Sequence, residues 1–267
     1  MQPSPPSRLP HGRLSTALRG LVVLLVVAPL SLLYMVGCLL LLPWRSLRIR
    51  AGNAYGKVVG RLILGMVGVK VRVSHRERLR ASAPALYVCN HTSTIDMWAG
   101  MFLCPFGGCG VAKKEIVKVP FFGWAYLLSG HLLLDRGDRA RAIASMEEAQ
   151  EVVKKHHLSL WMWPEGTRSR DGRLQPMKKG FVHLAIATGL PVVPVVFHDA
   201  DIMWPGHTFE IIPGDVRVDV LEPLDTTGWR LETADAHAHE LWTRFQAVMG
   251  ERQRGVAAAP PAEAQNA

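Results

Sequence analysis

From Leu21 to Pro43 the chain passes through 23 consecutive residues without a charged side chain. Wound as a helix, that run is about 35 Å long, against roughly 30 Å for the hydrocarbon core of a bilayer. A chain carrying it has few options: the segment enters a membrane or is swallowed whole by a core. A cleaved signal peptide fits less well, because the run is too long and no small-x-small site precedes Trp44 and Arg45. Pro29 lies near the middle of the run, where proline can kink a helix.

The charge pattern points to the same end of the molecule. The formal net charge is +9, yet the first 76 residues hold eleven of the 31 Lys and Arg and none of the 22 Asp and Glu. Residues 77 to 267 are therefore left with 20 basic against 22 acidic side chains. The basic excess surrounds the apolar run, where anionic lipid headgroups would attract it, so a nucleic-acid partner is the weaker reading. Basic residues flank the run on both sides, which leaves its orientation open.

After the run, Ala51, Ala54, Tyr55, Val58, Val59, Leu62, Ile63, Met66 and Val67 recur at spacings of three and four. That is the apolar stripe of a helix, with Lys57, Arg61, Gly56 and Gly60 falling elsewhere on it. The two segments predict a helical hairpin dipping into one leaflet, in preference to a full span. A core helix of the soluble domain is the competing reading for the second. Cys38, Cys89, Cys104 and Cys109 form no C-x-x-C pair and have no histidine at zinc-finger spacing. They read as reduced packing residues, with no metal, and favour a domain on the cytoplasmic face of the membrane.

From Val71 the pattern changes. Short β-rich runs at Val71–Ser74, Ala85–Cys89, Gly110–Lys113, His131–Leu134, Leu158–Trp163, Val192–Phe197 and Val216–Leu221 alternate with helical stretches. The helical stretches are Arg139–His156, with Ile143, Met146, Val152 and Val153 inward, then Lys178–Thr188 and Glu232–Gly250. Such alternation predicts an α/β domain, a largely parallel sheet flanked by helices, behind an N-terminal membrane-embedded helical segment. The expected division is residues 1–70 for membrane attachment, 71–254 for the catalytic domain and 255–267 for a disordered tail.

Directly after the run Ala85–Cys89 comes Asn90-His91-Thr92-Ser93-Thr94-Ile95-Asp96. A strand that ends in a polar turn opening a helix holds catalytic groups rigidly. His91 could take a proton from an alcohol while Asp96 fixes its tautomer, provided His91 sits in the loop and Asp96 in the first helical turn. The competing reading makes Ser93-x-x-Asp96 a capping box that serves only the helix.

Two further segments bear on the choice. One runs from Val111-Ala112-Lys113-Lys114 through Pro120-Phe121-Phe122-Gly123-Trp124 to Gly130 and Leu133-Leu134-Asp135-Arg136; the other is Trp163-Pro164-Glu165-Gly166-Thr167-Arg168-Ser169-Arg170-Asp171-Gly172, followed by Lys178-Lys179-Gly180. With N-H-x-S-x-x-D before them and Gly189-Leu190-Pro191-Val192-Val193-Pro194-Val195 after, the set resembles the ordered blocks of the glycerophospholipid acyltransferase family, specifically its 1-acylglycerol-3-phosphate O-acyltransferases. The resemblance covers roughly residues 71 to 200. A lone H-x-x-x-x-D says little; the ordered set is specific.

The resemblance implies that His91 is the general base on the acceptor hydroxyl and Asp96 orients it, with no protein nucleophile. Lys113 and Arg168 would bind the phosphate of lysophosphatidate, the guanidinium in two-pronged fashion. Glu165, Gly166 and Thr167 would shape the acceptor site, Glu165 holding Arg168 or a glycerol hydroxyl. The acyl donor would be acyl-CoA or acyl-carrier protein, and no cofactor is implied. Arg136 reads as a structural ion-pair partner and Arg170-Asp171-Gly172 as a turn. Phe121, Phe122 and Trp124 read either as the flank of an acyl tunnel or as plain core. Trp163 stands where the family often has Phe, a change expected to be harmless. No G-x-S-x-G elbow, phosphate loop or complete dinucleotide fingerprint occurs. The rival functions are acylation of a phosphate-free acceptor such as a lyso-ornithine lipid, and a catalytically silent lipid-binding membrane protein.

Overall fold

The computed structural model describes residues 13–135, 139–205 and 211–255. Arg136 and the Ala/Pro-rich tail beyond Gly255 lie outside the described residues.

All seven strands anticipated from the sequence form: β1 (Val69–Ser74), β2 (Leu86–Cys89), β3 (Gly108–Lys113), β4 (Leu132–Leu134), β5 (Ser159–Met162), β6 (Val192–His198) and β7 (Gly214–Val220). They make one sheet in the order β1-β7-β6-β2-β5-β3-β4. Neighbours are parallel except β6 and β7, which pair antiparallel. In β2, β5 and β6 every residue is buried. Strands covered on both faces have no polar side to present, which is why these runs read as continuous apolar stretches.

Nine α-helices occur among the described residues. Leu86, Val88, Leu160 and Met162 face one core with α6 (Arg139–His156), α7 (Gly180–Thr188) and α9 (Ala234–Val248). Tyr87, Cys89 and Trp161 point the other way, into a core shared with α2 (Arg45–Met66), α4 (Thr94–Leu103) and α8 (Ala200–Met203). The period of two along each strand divides the apolar residues between the layers. In α6 the packed stripe is Met146, Ala149, Val152 and Val153; it stops short of Ile143, which was expected inward and is exposed. The remaining helices are α1 (Arg13–Leu40), α3 (Arg78–Ala81) and α5 (Phe122–Ser129).

Helices α1 and α2 form the anticipated hairpin. The hydropathy of Gly20–Leu40 averages 2.5, and by length and composition this helix can cross a membrane. It continues through Pro29 and presents Leu25, Leu33 and Leu40 outward. Its inward side meets α2, where Tyr34 stacks on Tyr55 at 4.3 Å and the Ser31 and Tyr55 hydroxyls lie 2.6 Å apart.

The buried face of α2 differs from the expected stripe. Gly52, Gly56 and Gly60 are on it, whereas Val58 and Leu62 are exposed. A Cβ at Gly60 would come 2.5 Å from the Trp98 carbonyl oxygen, so only glycine allows α2 to lie this close to α4. Reading apolar side chains alone missed this, because the contact is made by their absence. The change at residue 70 is consequently one of secondary structure and not a break in packing.

Candidate active site

The carboxyl ends of β2, β5 and β3 lie side by side, and each hands over a segment singled out in the sequence: Asn90–Asp96, Trp163–Arg168 and Lys113–Lys118. Strand registers pair Val88 with Met162 and Gly110 with Trp161. Continuing them brings His91, Glu165 and Lys113 to about the same level, on strands roughly 4.8 Å apart. In open α/β sheets this edge is where ligands bind.

Asn90 anchors the first turn. It is buried, its Nδ2 donates to the Phe197 carbonyl at 2.9 Å, and its Oδ1 accepts from the Phe197 amide at 2.7 Å. His91 follows in the loop and Asp96 lies in the first turn of α4, as the chemistry requires. The His91 Nδ1 and Asp96 Oδ2 are 3.4 Å apart. Catalytic hydrogen bonds in unliganded sites are commonly this long and tighten once substrate is bound. The fully buried Asp96 Oδ2 also accepts the Thr92 amide at 2.5 Å and the Ser93 amide at 2.7 Å. Ser93 caps α4, with Asp96 completing a capping box. The two competing readings of Asp96 thus coexist: the bonds that cap the helix also hold the carboxylate against the imidazole. With Nδ1–H given to Asp96, Nε2 carries the free lone pair.

Glu165 is buried just beyond β5. Its Oε1 accepts the His91 amide at 2.6 Å and its Oε2 the Gln175 amide at 2.9 Å. Each oxygen thus accepts a backbone amide, and among the described residues the carboxylate bonds to these amides and not to Arg168. Glu165 fixes the loop that carries His91. Gly166 turns the chain with φ +72°. Thr167 and Arg168 are exposed beyond it, and the Arg168 Nη1 donates to the Thr94 hydroxyl at 2.5 Å, at the start of α4. Lys113 is exposed at the end of β3, while Lys114 beside it pairs with Asp135 at 3.0 Å. Gly172 has φ +78° and Asp171 accepts from the Arg173 amide, so Arg170–Gly172 is the anticipated turn.

A cavity of about 1400 Å³ opens at His91 and runs beneath α4 toward α1, α2 and α5. Its wall is overwhelmingly apolar and includes Phe121, Phe122 and Trp124, so these aromatics flank a tunnel and do not fill a core. Lys113 and Gly166 also border it. Strand β3 runs along it, from Lys113 back to Gly108, a length of about 17 Å.

Residues 70–198 match the protein family described as Acyltransferase. The 1-acyl-sn-glycerol-3-phosphate acyltransferase of Limnanthes douglasii is 42% identical over 208 residues, covering 77% of this chain and 73% of its own. The chain belongs to the 1-acylglycerol-3-phosphate acyltransferase family. The Escherichia coli enzyme of the same name is 38% identical over 173 residues, covering 65% of this chain and 69% of its own. In structure the chain is similar to the 1-acyl-sn-glycerophosphate acyltransferase PlsC of Thermotoga maritima, with a TM-score of 0.62 and 26% identity over 86% of this chain and 95% of that one.

Family motifs locate the acyltransferase residues that surround the cavity mouth but not those that hold them from behind. Gln175 and Gln253 carried no recognisable signal. The Gln253 carbonyl accepts the Leu174 amide at 2.9 Å and its Nε2 donates to the Phe197 carbonyl at 3.3 Å. A turn near the C-terminal end of the described chain thereby braces both the Glu165 loop and the end of β6 that holds the Asn90 side chain.

Burial pushes the Glu165 carboxyl up to about 8, against the lowering effect of its two backbone bonds, and the charge of Asp96 adds to the rise. An unfolded Glu165 would release its proton near 4.5, whereas the folded one keeps it to about 8. Across that window the native state binds more protons, so this group makes stability fall as pH rises. Glu165→Gln loses one of two backbone acceptors at every pH, at a cost of about 1–3 kcal/mol, but has no charge to desolvate. Its stability deficit, followed by denaturant melts from about pH 5 to pH 9, should be largest at low pH and shrink toward high pH. A deficit that grows with pH would contradict the raised carboxyl.

Proposed function

We propose that this protein is a membrane-bound acyltransferase that moves a fatty acyl chain from acyl-CoA or acyl-carrier protein to the 2-hydroxyl of 1-acylglycerol-3-phosphate, giving phosphatidate. The observation that carries the proposal is the His91–Asp96 pair at the mouth of an apolar cavity long enough for an acyl chain, with the cationic Lys113 and Arg168 beside it. The His91 Nε2 takes the proton of the acceptor hydroxyl as that oxygen attacks the thioester carbonyl. Collapse of the tetrahedral adduct forms the ester and breaks the carbon–sulfur bond. The leaving thiolate takes the proton back from the imidazolium, restoring His91. Asp96 holds the tautomer and balances the transient positive charge. No side-chain nucleophile is needed.

In this reading residues 1–70 attach the enzyme to the membrane. The exposed apolar faces of α1 and α2 meet lipid, the basic residues around them meet anionic headgroups, and the catalytic domain lies on the cytoplasmic face. Lysophosphatidate is drawn from the bilayer with its phosphate on Lys113 and Arg168. Glu165, Gly166 and Thr167 form the side of that acceptor site.

The test is a matrix of donors and acceptors on full-length protein in liposomes. Acyl-CoA and acyl-carrier protein donors are each paired with lysophosphatidate, lyso-ornithine lipid and a neutral lysolipid. The expected result is transfer to lysophosphatidate at a kcat/KM well above that for the phosphate-free acceptors. Faster transfer to lyso-ornithine lipid would overturn the acceptor assignment, and no transfer at all would leave a lipid-binding protein.

A further inference from the structure

Three polar side chains of the turn 90–96 hold the turn itself. Asn90 binds the end of β6, Ser93 caps α4, and Asp96 accepts two amides beside His91. Thr94 is different. It opens α4, yet the capping box is made by Ser93 and Asp96 without its hydroxyl. The hydrogen bond shown for that hydroxyl comes from outside the turn: it accepts the Arg168 Nη1 at 2.5 Å, across 74 residues of chain. Thr94 is half-buried and Arg168 exposed.

Two features separate this bond from an ordinary surface contact. The segment that carries Arg168 is fastened to the same turn a second time, because the next residue, Ser169, donates its amide to the His91 carbonyl at 2.8 Å. Backbone and side chain of residues 168–169 are thus both tied to the turn that carries the base. In addition, Arg168 has no carboxylate partner among the described residues, and Thr94 occupies only its Nη1. Nε and Nη2 form the edge of a guanidinium that presents two parallel N–H bonds to a phosphate, and that edge has no partner among the described residues. The Thr94 hydroxyl holds the group by one corner and leaves its phosphate-binding edge open.

An exposed arginine without such a hold samples many rotamers and gives up that freedom when it grips a ligand. A bond made beforehand lowers this cost, and lowers it only for a ligand that uses the guanidinium. We infer that Thr94 is a positioning residue for the acceptor: by holding Arg168 it fixes where the acceptor phosphate sits relative to His91. This rests on the reading that Arg168 binds the phosphate of lysophosphatidate. Thr94 moves no proton and acts through Arg168. His91 and Thr94 stand three residues apart in one turn, so the separation of phosphate grip and base is set within that turn.

The experiment uses two substitutions. Thr94→Val keeps the branched shape and removes the hydroxyl, whereas Thr94→Ser keeps the hydroxyl and removes the methyl group. Both are compared in liposomes with wild type, Arg168→Ala and the double variant Thr94→Val/Arg168→Ala. Lysophosphatidate is varied at fixed acyl donor and the donor at fixed lysophosphatidate, and melting transitions are recorded beside the kinetics. Thr94→Val should raise the acceptor KM about two- to tenfold, the range of one hydrogen bond, with kcat falling less than KM rises. The donor KM should stay near that of wild type. Thr94→Ser should recover most of the loss. In the Arg168→Ala background Thr94→Val should have no further effect on the acceptor KM, since nothing is left for the hydroxyl to hold.

An equal rise in donor and acceptor KM, or a fall in kcat at unchanged acceptor KM, would make Thr94 a prop of the His91 turn and overturn the inference. So would a Thr94→Ser variant as impaired as Thr94→Val, or losses that simply add in the double variant. If Thr94→Val melts early, the serine rescue and the double-variant comparison still decide. A raised acceptor KM in Arg168→Ala with none in Thr94→Val refutes the positioning role alone. An unchanged acceptor KM in Arg168→Ala takes Arg168 off the phosphate and refutes both, and wild type that acylates no lysolipid refutes the acyltransferase reading as well.

Discussion

His91→Ala should abolish acyl transfer and leave the protein folded. Among the described residues the side chain hydrogen-bonds to Asp96 and its ring otherwise leans on Trp163 at the cavity mouth, so little packing is lost with it. General-base catalysis is commonly worth 10² to 10⁴-fold, and the expected fall in kcat is of that order. Single-turnover kinetics should show the loss in the chemical step, with the melting transition close to that of wild type. Turnover above about a tenth of wild type would dismiss His91 as the base. Asp96→Asn should also be severe, but for two separable reasons. The wrong tautomer weakens the base, and a weaker acceptor for the Thr92 and Ser93 amides loosens the cap of α4, worth about 0.5–2 kcal/mol. Stability measured beside kcat tells the two apart, because the tautomer effect does not unfold the protein.

Arg168→Ala should raise the acceptor KM strongly and the donor KM little. The guanidinium is exposed, and the bond shown for it is one to the Thr94 hydroxyl at the start of α4, so the fold does not depend on it. If it grips the phosphate of lysophosphatidate, losing that charge-assisted contact costs about 1.5–3 kcal/mol, roughly 10- to 150-fold in KM. Arg168→Lys should recover only part, since an ammonium cannot reproduce two parallel N–H bonds. Lys113→Ala should act in the same direction, and the double variant should fall short of the sum if both cations hold one phosphate. Kinetics with lysophosphatidate beside a phosphate-free lysolipid check it. An unchanged acceptor KM in Arg168→Ala would take that residue out of the acceptor site.

Much of this architecture was legible in the residues. The continuous apolar runs of β2, β5 and β6 announced buried parallel strands, and α6 begins and ends where its polar and apolar faces said it would. The His91–Asp96 pair could be anticipated because both members lie in one short turn, whose capping chemistry is local. Glu165 was harder. Its partners, the amides of His91 and Gln175, are 74 and 10 residues away, and a family motif says that a residue matters without saying what it touches. The face of α2 was misassigned because periodicity scores side chains, and the contact with α4 depends on Gly56 and Gly60, which have none.

By itself the sequence determined the elements and their order, the apolar helix near the N-terminus, and the chemical groups available at the ends of β2, β3 and β5. Period, turn residues and runs of like side chains are properties of neighbours along the chain, so they can be read there. Only the tertiary structure decided that β5 inserts between β2 and β3, which sets His91, Glu165 and Lys113 in a row. It also decided that Glu165 braces a loop, and that residues of α1, α2, α4, α5 and β3 line one apolar cavity. Each of these is a contact between segments far apart in sequence, selected by the packing of the whole domain and by no local preference.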